Sequence, residues 1–354
     1  MAELITASLR RYLDGVAAQG LVPGVSLAVV HGPDSQLYHT GLAQTYPTAR
    51  PLAADELYDM ASLTKVVVTT SLGLIALDRG CFGLDDKVAA HLPAFRHGDV
   101  TIRDLWTHVS GLAADDRRYR QAATPDQLLD FICRLDKVYP TGSQVVYSDF
   151  NFILLGCIIA QGLGPLDEAF AELIAKPLGM KDTGYRPADR GLADRCAATE
   201  DEPDRGGVIR GVVHDGKGYR MGGVSGNAGL FATAAEMVPF VRMMLDHGRY
   251  GGRTVIPARA IALLDVCYTE GLGRRRTLGW YLYDPQAVFG KHCAHDCLLH
   301  TGFTGTSIYI DRQRDAAVVL LTNRVHPHRD NDSIAKIRDD VHDMVLTHLD
   351  AGAC

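Results

Sequence analysis

One stretch constrains this chain more than any other: residues 61–77 place a serine and a lysine at the start of a strongly apolar helix. Ser62 stands where the helix should begin, and Lys65 follows three residues later, ahead of an apolar run. Side chains three positions apart share a helix face, with Cβ atoms about 5–6 Å apart. A serine hydroxyl becomes a good nucleophile only when a nearby base takes its proton, and a lysine in an apolar setting can have its pKa lowered. The pattern predicts an acyl-serine enzyme, while a helix with a serine cap and an exposed lysine is the alternative.

Length and charge limit the kind of partner. The chain has 354 residues, of which 47% are apolar and 22% charged, so we expect one large or two interleaved soluble domains. A formal net charge of -6 argues against nucleic acid and anionic membrane surfaces, which favour basic proteins. No apolar run reaches the roughly 18 residues that span a bilayer. We therefore expect a small-molecule substrate and a monomer or homodimer.

Cysteine usage and the N-terminus favour the cytoplasm. Eight cysteines are scattered along the chain, several of them inside apolar runs such as residues 131–133. This is typical of small buried side chains in a reducing compartment and not of a disulfide framework. The first 13 residues are amphipathic and lack the basic, apolar and small-residue order of a signal peptide. We expect a cytoplasmic protein without disulfides.

The pattern of elements predicts an α/β (α+β) fold. Strand patterns occur near both ends of the chain, and helical periodicity dominates the middle, where Thr101 and Thr233 begin capping-box sequences. The predicted strands are residues 24–31, 36–40, 278–283, 298–303, 307–310 and 316–322, and the predicted terminal helices are residues 4–18 and 334–345. We expect a mostly antiparallel sheet flanked by terminal helices (residues 1–80 and 236–354) and an inserted helical subdomain (81–235). Residues 185–227 are rich in turn residues and are expected to form a pocket rim.

Two further motifs carry candidate chemistry. Tyr147-Ser148-Asp149 stands at a predicted loop-to-helix junction, where a tyrosine near an ammonium group can relay protons. His300-Thr301-Gly302-Phe303 stands on a late strand, where the glycine lets a substrate backbone approach closely. The Phe303 amide can pair with the Ser62 amide to stabilise an oxyanion.

Taken in order, these motifs resemble those of the serine β-lactamase and penicillin-binding superfamily. Ser62-Leu63-Thr64-Lys65, Tyr147-Ser148-Asp149 and His300-Thr301-Gly302 match its three motifs in order and rough spacing, S-x-x-K being the first. The arrangement is similar to the branch of class C β-lactamases, D,D-peptidases and family VIII esterases. The resemblance extends from about residue 25 to residue 346 and implies a β-lactamase/D,D-peptidase-like fold without a cofactor.

The resemblance also implies roles for residues. Ser62 would be the nucleophile, Lys65 the base or proton shuttle, and Tyr147 the group that passes the proton to the leaving group. Which of Lys65 and Tyr147 is the acylation base stays open. The Ser62 and Phe303 amides would form the oxyanion hole, and the substrate would contact Asp149, His300, Thr301 and Gly302.

Two positions depart from the class C pattern. Asp149 replaces the usual asparagine, and a carboxylate near Lys65 favours the charged ammonium, which shifts the proton-accepting role toward Tyr147. His300 replaces the usual lysine, and a histidine can be neutral at pH 7, so an anionic substrate would be held less firmly. Both departures point away from a dedicated β-lactamase.

Two other stretches indicate a branch within the superfamily. Residues 213–227 and 321–327 are similar to members that split the N-acetylmuramyl–L-alanine amide of cell-wall fragments. This implies substrate contacts from His214, Asn227 and Arg324, with Arg324 or Arg329 near an anionic group. The alternatives are a carboxylesterase, a β-lactamase or D,D-carboxypeptidase with the same residues, acyl transfer to an acceptor other than water, and a non-catalytic penicillin-binding sensor.

One segment has metal-like spacing. His292, Cys293, His295 and Cys297 precede His300 in a pattern that can bind zinc. The segment leads directly into the third motif, where His300 already has a role, so we expect no metal site. Zinc bound there in a structural role is the alternative.

Overall fold

A computed structural model describes residues 3–283 and 289–352 of the chain. Thirteen strands lie within these residues: β1 Gly24–His31, β2 Asp34–Gln44, β3 Arg50–Pro51, β4 Tyr58–Asp59, β5 Gly184–Tyr185, β6 Asp201–Glu202, β7 Gly207–Val208, β8 Leu230–Ala232, β9 Arg249–Tyr250, β10 Arg253–Thr254, β11 Leu298–Thr301, β12 Ser307–Asp311 and β13 Ala316–Thr322. The same residues hold twelve α-helices: α1 Ala7–Ala18, α2 Ser71–Asp78, α3 Val88–His91, α4 Ile102–Trp106, α5 Pro125–Cys133, α6 Asp149–Leu163, α7 Leu166–Phe170, α8 Lys176–Leu178, α9 Gly216–Arg220, α10 Ala234–Leu245, α11 Ala258–Ile261 and α12 Ile334–Gly352.

The main sheet is built from both ends of the chain. Its six strands lie in the order β11-β12-β13-β1-β2-β3, and every neighbouring pair is antiparallel. Strand β1 lies between β2 and β13, with Leu27 opposite both Tyr38 and Leu320. This pairing places the third motif, at the end of β11, on the same sheet as the N-terminal hairpin.

Both faces of the sheet are covered, so the central strands β1 and β13 are largely apolar, with the small polar Ser26 and Thr322 also buried. Val25, Leu27 and Val29 pack with residues of α1 and α12 in one core cluster. Ala28 and Val30 point the other way, into a larger cluster that includes α2, α6 and α10. Because neighbouring strand residues face opposite sides, a strand buried on both faces has no polar alternation.

The structure confirms most of the predicted elements and the antiparallel sheet with terminal helices. The Thr101 capping box is formed at the start of α4, with both reciprocal bonds present. At α10 the Thr233 side chain accepts the Glu236 amide, but the Glu236 carboxylate accepts the Lys181 and Thr183 amides instead of closing the box. The seven described cysteines are free thiols, and Cys354 lies outside the described residues.

The predicted strand at residues 278–283 is wrong. Gly279 has a φ of +77°, and the chain turns tightly there, so that Arg276 pairs with Tyr281 in an isolated backbone bridge. Tyr281 in turn pairs with Leu299 of β11. A positive φ suits glycine and ends regular strand geometry. The apolar residues of this segment are buried as part of a turn and not of a strand.

The segment that bears Ser62 is the central buried helix of the larger cluster. It begins as a 3₁₀ turn over Ala61–Leu63, continues as a π-helix over Lys65–Thr70 and ends as α2. By length and composition Ala61–Asp78 is apolar enough to cross a membrane, but 83% of it is buried inside the protein. The same composition is typical of a core helix in a folded domain.

The packing of α2 against Trp106 generates a stability prediction. A Cβ added at Gly73 would lie 2.5 Å from the Trp106 indole, which cannot move aside within a packed core, whereas one at Gly15 in α1 would meet nothing closer than 3.5 Å. We expect Gly73→Ala to lower the free energy of unfolding by about 1–3 kcal/mol. Gly15→Ala, the matched control, should raise it by about 0.5–1 kcal/mol. Urea unfolding of both variants measures this, and an unchanged Gly73→Ala would contradict the packing.

Candidate active site

Ser62 lies in a cavity of about 1030 Å³. The residue before it, Ala61, has a φ of +46°, an unusual conformation for a residue other than glycine. The buried Asp59 carboxylate stabilises this turn, because it accepts the Ala61 amide at 2.8 Å and the His214 amide at 2.7 Å. Backbone strain that is held in place by hydrogen bonds is common at functional residues.

Lys65 is fixed by three acceptors. Its Nζ donates to Ser62 Oγ at 3.0 Å, to Asp149 Oδ1 at 2.7 Å and to the Asn227 carbonyl at 2.9 Å. An ammonium group has three protons and no lone pair, so these three bonds use its full capacity. In this arrangement Ser62 Oγ accepts a proton from Lys65, and its own hydroxyl proton is left for another acceptor.

Asp149 keeps Lys65 charged. Burial alone would lower the pKa of Lys65, but the Asp149 carboxylate and, after it, Tyr147 together outweigh burial, and the pKa lies above the usual value. Burial would raise the pKa of Asp149, yet Lys65 and Lys217 together lower it to about 2. Lys217 Nζ is 3.3 Å from Asp149 and 2.8 Å from Asp115, which gives two cations and two carboxylates in one chain of contacts.

Tyr147 lines the same cavity beside Lys65. The Lys65 Nζ lies 5.0 Å from the centroid of the phenol ring, and the tilted His108 ring lies 4.6 Å from it, centroid to centroid. Burial raises the pKa of the Tyr147 hydroxyl, and the Lys65 ammonium opposes that shift. The structure thus brings Ser62, Lys65 and Tyr147 together from two distant segments.

The third motif forms one edge of the cavity. His300, Thr301, Gly302 and Phe303 all line it. Burial and the nearby Arg276 guanidinium hold the pKa of His300 well below its usual value, so this histidine is neutral. A Cβ at Gly302 would lie 2.1 Å from Thr306 Oγ1 and 2.6 Å from the Met60 carbonyl, so only glycine fits where the motif passes the Ser62 segment.

The predicted substrate contacts divide into two groups. Asp149, His214 and Arg324 line the cavity together with the third motif, and Arg329 lies at its rim. Asn227 differs from the prediction, because it is fully buried behind the cavity. Its side chain bonds Ser225 and Asp215, and its carbonyl holds Lys65. This residue therefore positions Lys65 and is not exposed to a substrate.

Sequence reasoning missed several residues of the site. Lys217 is held against Asp149, and Arg338 of α12 donates to the Gly302 and Thr306 carbonyls. Arg276 lies in a run of three arginines that is typical of an exposed turn, but its side chain is fully buried. No local pattern marks these residues, because their partners lie in other segments.

Among the described residues, Glu200, Glu202 and His214 are close enough together to hold a metal ion. The Arg329 guanidinium already contacts both carboxylates, with Nε 2.7 Å from Glu200 and Nη2 2.6 Å from Glu202. His214 Nε2 lies 2.8 Å from Glu200. The Arg329 guanidinium thus supplies the positive charge that balances these two carboxylates. The expectation that the protein binds no metal stays a prediction.

The charge arrangement around Asp149 predicts a pH-dependent stability. Because the pKa of Asp149 is about 2 in the folded state and 3.8 as its ordinary value, its ionised form stabilises the fold above about pH 4. This stabilisation, on the order of 2 kcal/mol, should be lost as the pH falls from about 4 to about 2. Urea unfolding should find Asp149→Asn less stable than wild type at pH 7, with the difference narrowing at pH 3. The exposed Asp136→Asn is the control, and a pH-independent difference would contradict the account.

Comparisons with known proteins agree with this geometry. A sequence model of the β-lactamase family matches residues 9–343. The chain is 31% identical over 303 residues to an N-acetylmuramyl-L-alanine amidase of Bacillus subtilis (strain 168), covering 76% of this chain and 68% of that protein. It is 32% identical over 346 residues to a "Putative D-alanyl-D-alanine carboxypeptidase" of Escherichia coli O157:H7, covering 86% and 79%.

A solved structure shares the fold. The structure of "EstCE1, a hydrolase with promiscuous acyltransferase activity" superposes with a TM-score of 0.75 at 22% identity, covering 95% of this chain and 98% of that one. The family match extends over nearly the whole chain and includes all three motifs around Ser62. The protein is therefore a hydrolase that belongs to the β-lactamase family.

Proposed function

We propose that this protein is a serine hydrolase that cleaves an amide or ester through an acyl intermediate on Ser62. The observation that carries the proposal is the hydrogen bond from Lys65 to Ser62 Oγ at 3.0 Å, in a lysine whose other two protons are also bound. Such a lysine orients the serine and stabilises negative charge on its oxygen, and it has no lone pair to accept a proton.

Tyr147 is the proton acceptor in this mechanism. In the reactive form its phenolate takes the Ser62 proton as Oγ attacks the substrate carbonyl carbon, with the Ser62 and Phe303 amides facing the oxyanion. Collapse of the intermediate breaks the bond to the leaving group, which takes the proton from Tyr147. Water then attacks the acyl ester and gives a proton to Tyr147. As the acid leaves, Tyr147 passes this proton to Ser62 Oγ, which restores the serine hydroxyl and the phenolate.

A muramyl peptide is the proposed substrate class, and three features support it. Arg324 and Arg338 line the cavity, and within the described residues each donates to backbone carbonyls and forms no ion pair with a carboxylate. Burial and the adjacent Arg324 lower the pKa of Arg338 to about 9, as expected for cations without a counterion. The Phe303 ring is 48% exposed beside them, which suits the apolar face of a sugar ring. The similarity to the Bacillus subtilis amidase points to the same class.

A carboxylesterase or acyl-transfer activity is the second candidate. The cavity of about 1030 Å³ admits a range of acyl groups, and EstCE1 has the same fold. The same three residues serve both activities, so the acyl acceptor distinguishes them.

A mass-spectrometric time course tests the proposed function. Purified protein is incubated separately with N-acetylmuramyl-L-alanine, p-nitrophenyl acetate and benzylpenicillin, and intact mass and products are followed together. We expect release of L-alanine and an ester-derived adduct on Ser62, both absent in Ser62→Ala. Ester cleavage without release of L-alanine would replace the muramyl amide with the esterase assignment. Equal activity in Ser62→Ala would refute the acyl-serine mechanism.

The arginines at the third motif predict a substrate-specific effect. Arg324→Met removes one cation from the side of the cavity that would bind the anionic group of the substrate. A hydrogen bond to a charged group contributes about 1.5–3 kcal/mol. We expect kcat/KM for N-acetylmuramyl-L-alanine to fall about 10- to 100-fold, while the neutral p-nitrophenyl acetate changes little. Arg134→Met, which removes an exposed ion pair with Asp130 outside the cavity, is the control. An equal loss for both substrates would show that Arg324 acts on structure alone.

A further inference from the structure

Arg276 is a buried cation without a counterion. Its side chain is fully buried, and Nη1 donates to the Gly279 carbonyl at a long 3.3 Å. Within residues 3–283 and 289–352, Nε and Nη2 have no acceptor, and the guanidinium forms no ion pair. Burying an ion without a partner costs several kcal/mol, so a role beyond packing is indicated.

Two tyrosine rings take the place of a carboxylate. The Arg276 guanidinium carbon lies 3.7 Å from the Tyr281 ring centroid and 5.3 Å from the Tyr147 ring centroid. The tight turn at Gly279 produces this geometry, because Arg276 pairs with Tyr281 and Tyr281 pairs with Leu299, next to His300. The rings bind the cation through their π faces. Tyr147 and Tyr281 line the cavity and Arg276 does not, so Arg276 contacts Tyr147 from outside the cavity lining.

The two neighbouring histidine rings are neutral, so neither adds a positive charge beside Tyr147. His300 Nδ1 is 2.9 Å from the Thr301 carbonyl, so this nitrogen carries the proton of a neutral ring. His108 Nδ1 accepts the Ser148 amide at 3.1 Å and is therefore unprotonated. Burial, followed by the Arg276 charge, holds the pKa of both histidines well below the usual value. Both rings are neutral, and Arg276 is one reason.

A count of charges around Tyr147 leaves Arg276 uncompensated. The groups that face Tyr147 are Lys65, Asp149, Tyr281, His108, His300 and Arg276. The Asp149 carboxylate balances the charge of Lys65, and the Asp115 carboxylate balances the charge of Lys217. The remaining charge is the guanidinium behind the Tyr147 ring, which a negative charge on Tyr147 would balance.

We propose that Arg276 is a positioning residue that stabilises the phenolate form of Tyr147 and so promotes acylation of Ser62. The inference rests on the proposed function, because it needs Tyr147 to accept the Ser62 proton. Lys65 stabilises the phenolate from the side of Ser62, and Arg276 does so from behind the ring. His300, the first residue of the third motif, is neutral and supplies no positive charge. Arg276, in the turn around Gly279, supplies the second cation instead.

The test is the pH profile of Ser62 acylation by p-nitrophenyl acetate, measured in single turnover with background subtracted. Arg276→Gln keeps a donor for the Gly279 carbonyl but removes the charge. We expect its acylation rate at pH 7 to fall at least about tenfold. The acid limb of the profile, where the rate rises as Tyr147 loses its proton, should move up by at least about one pH unit, because one unit in pKa is a tenfold change in the phenolate population. Arg276→Lys, which restores a cation, should return the limb toward wild type.

A double-mutant cycle isolates the action through Tyr147. In a Tyr147→Phe background, Arg276→Gln should cause less than about a twofold further loss, since residues that act through each other are not additive. Arg242→Met is the control, because within the described part of the chain Arg242 also donates only to carbonyls, those of Gly32 and Pro33, and it does not line the cavity. If Arg276→Gln does not fold, Arg276→Met takes its place in both measurements.

The outcomes separate this inference from the proposed function. A wild-type limb position in Arg276→Gln, equal losses in Arg276→Gln and Arg276→Lys, or full additivity with Tyr147→Phe would each overturn the role of Arg276 while Ser62 is still acylated. Acylation of Ser62→Ala at the wild-type rate would instead overturn the proposed function itself.

Discussion

The ion pair between Lys65 and Asp149 is the interaction on which the site depends. Lys65 is fully buried, and without the carboxylate 2.7 Å away its charge would be very costly in the core. The Asp149 carboxylate holds the Lys65 ammonium in place, so that one of its protons is donated to Ser62. In the proposed mechanism the same contact leaves Lys65 without a lone pair, so that Tyr147 accepts the Ser62 proton. On this proposal the Asp149 carboxylate affects the stability of the fold, the geometry of the site and the direction of proton movement.

The fold brings this pair to its substrate by joining distant segments. The Ser62 segment is the central helix of the larger core cluster, α6 begins with Asp149, and β11 ends in the third motif on a sheet completed by the N-terminal hairpin. The cavity lies where these three meet, and Gly302 allows the sheet edge to touch the turn before Ser62. The arrangement requires the two ends of the chain to pair, because β1 and β13 are neighbours at the centre of the sheet.

Short-range sequence patterns predicted much of the fold and of the candidate site. The serine and lysine spacing, the Thr101 capping box and the apolar strands β1 and β13 follow from side-chain pattern alone, and the three ordered motifs indicated the family. The tight turn at Gly279 was not recognised, because the flanking apolar residues have the composition of a strand. Arg276 and Lys217 escaped notice for a different reason: a buried cation is defined by partners that lie far along the chain. Asn227 was assigned to the substrate, but its backbone carbonyl, which no sequence pattern shows, holds Lys65 instead. The boundaries of the helical subdomain stay a prediction.

In the proposed mechanism Lys65 stays protonated throughout the working pH range. The most direct measurement is an NMR titration of protein with ¹³Cε-labelled lysine, with the Lys65 signal assigned by comparison with Lys65→Arg. We expect no titration of Lys65 below about pH 10, the ordinary lysine value, and a lower midpoint in Asp149→Asn. A Lys65 signal that titrates near pH 7 in the wild type would contradict the account and make Lys65 the base.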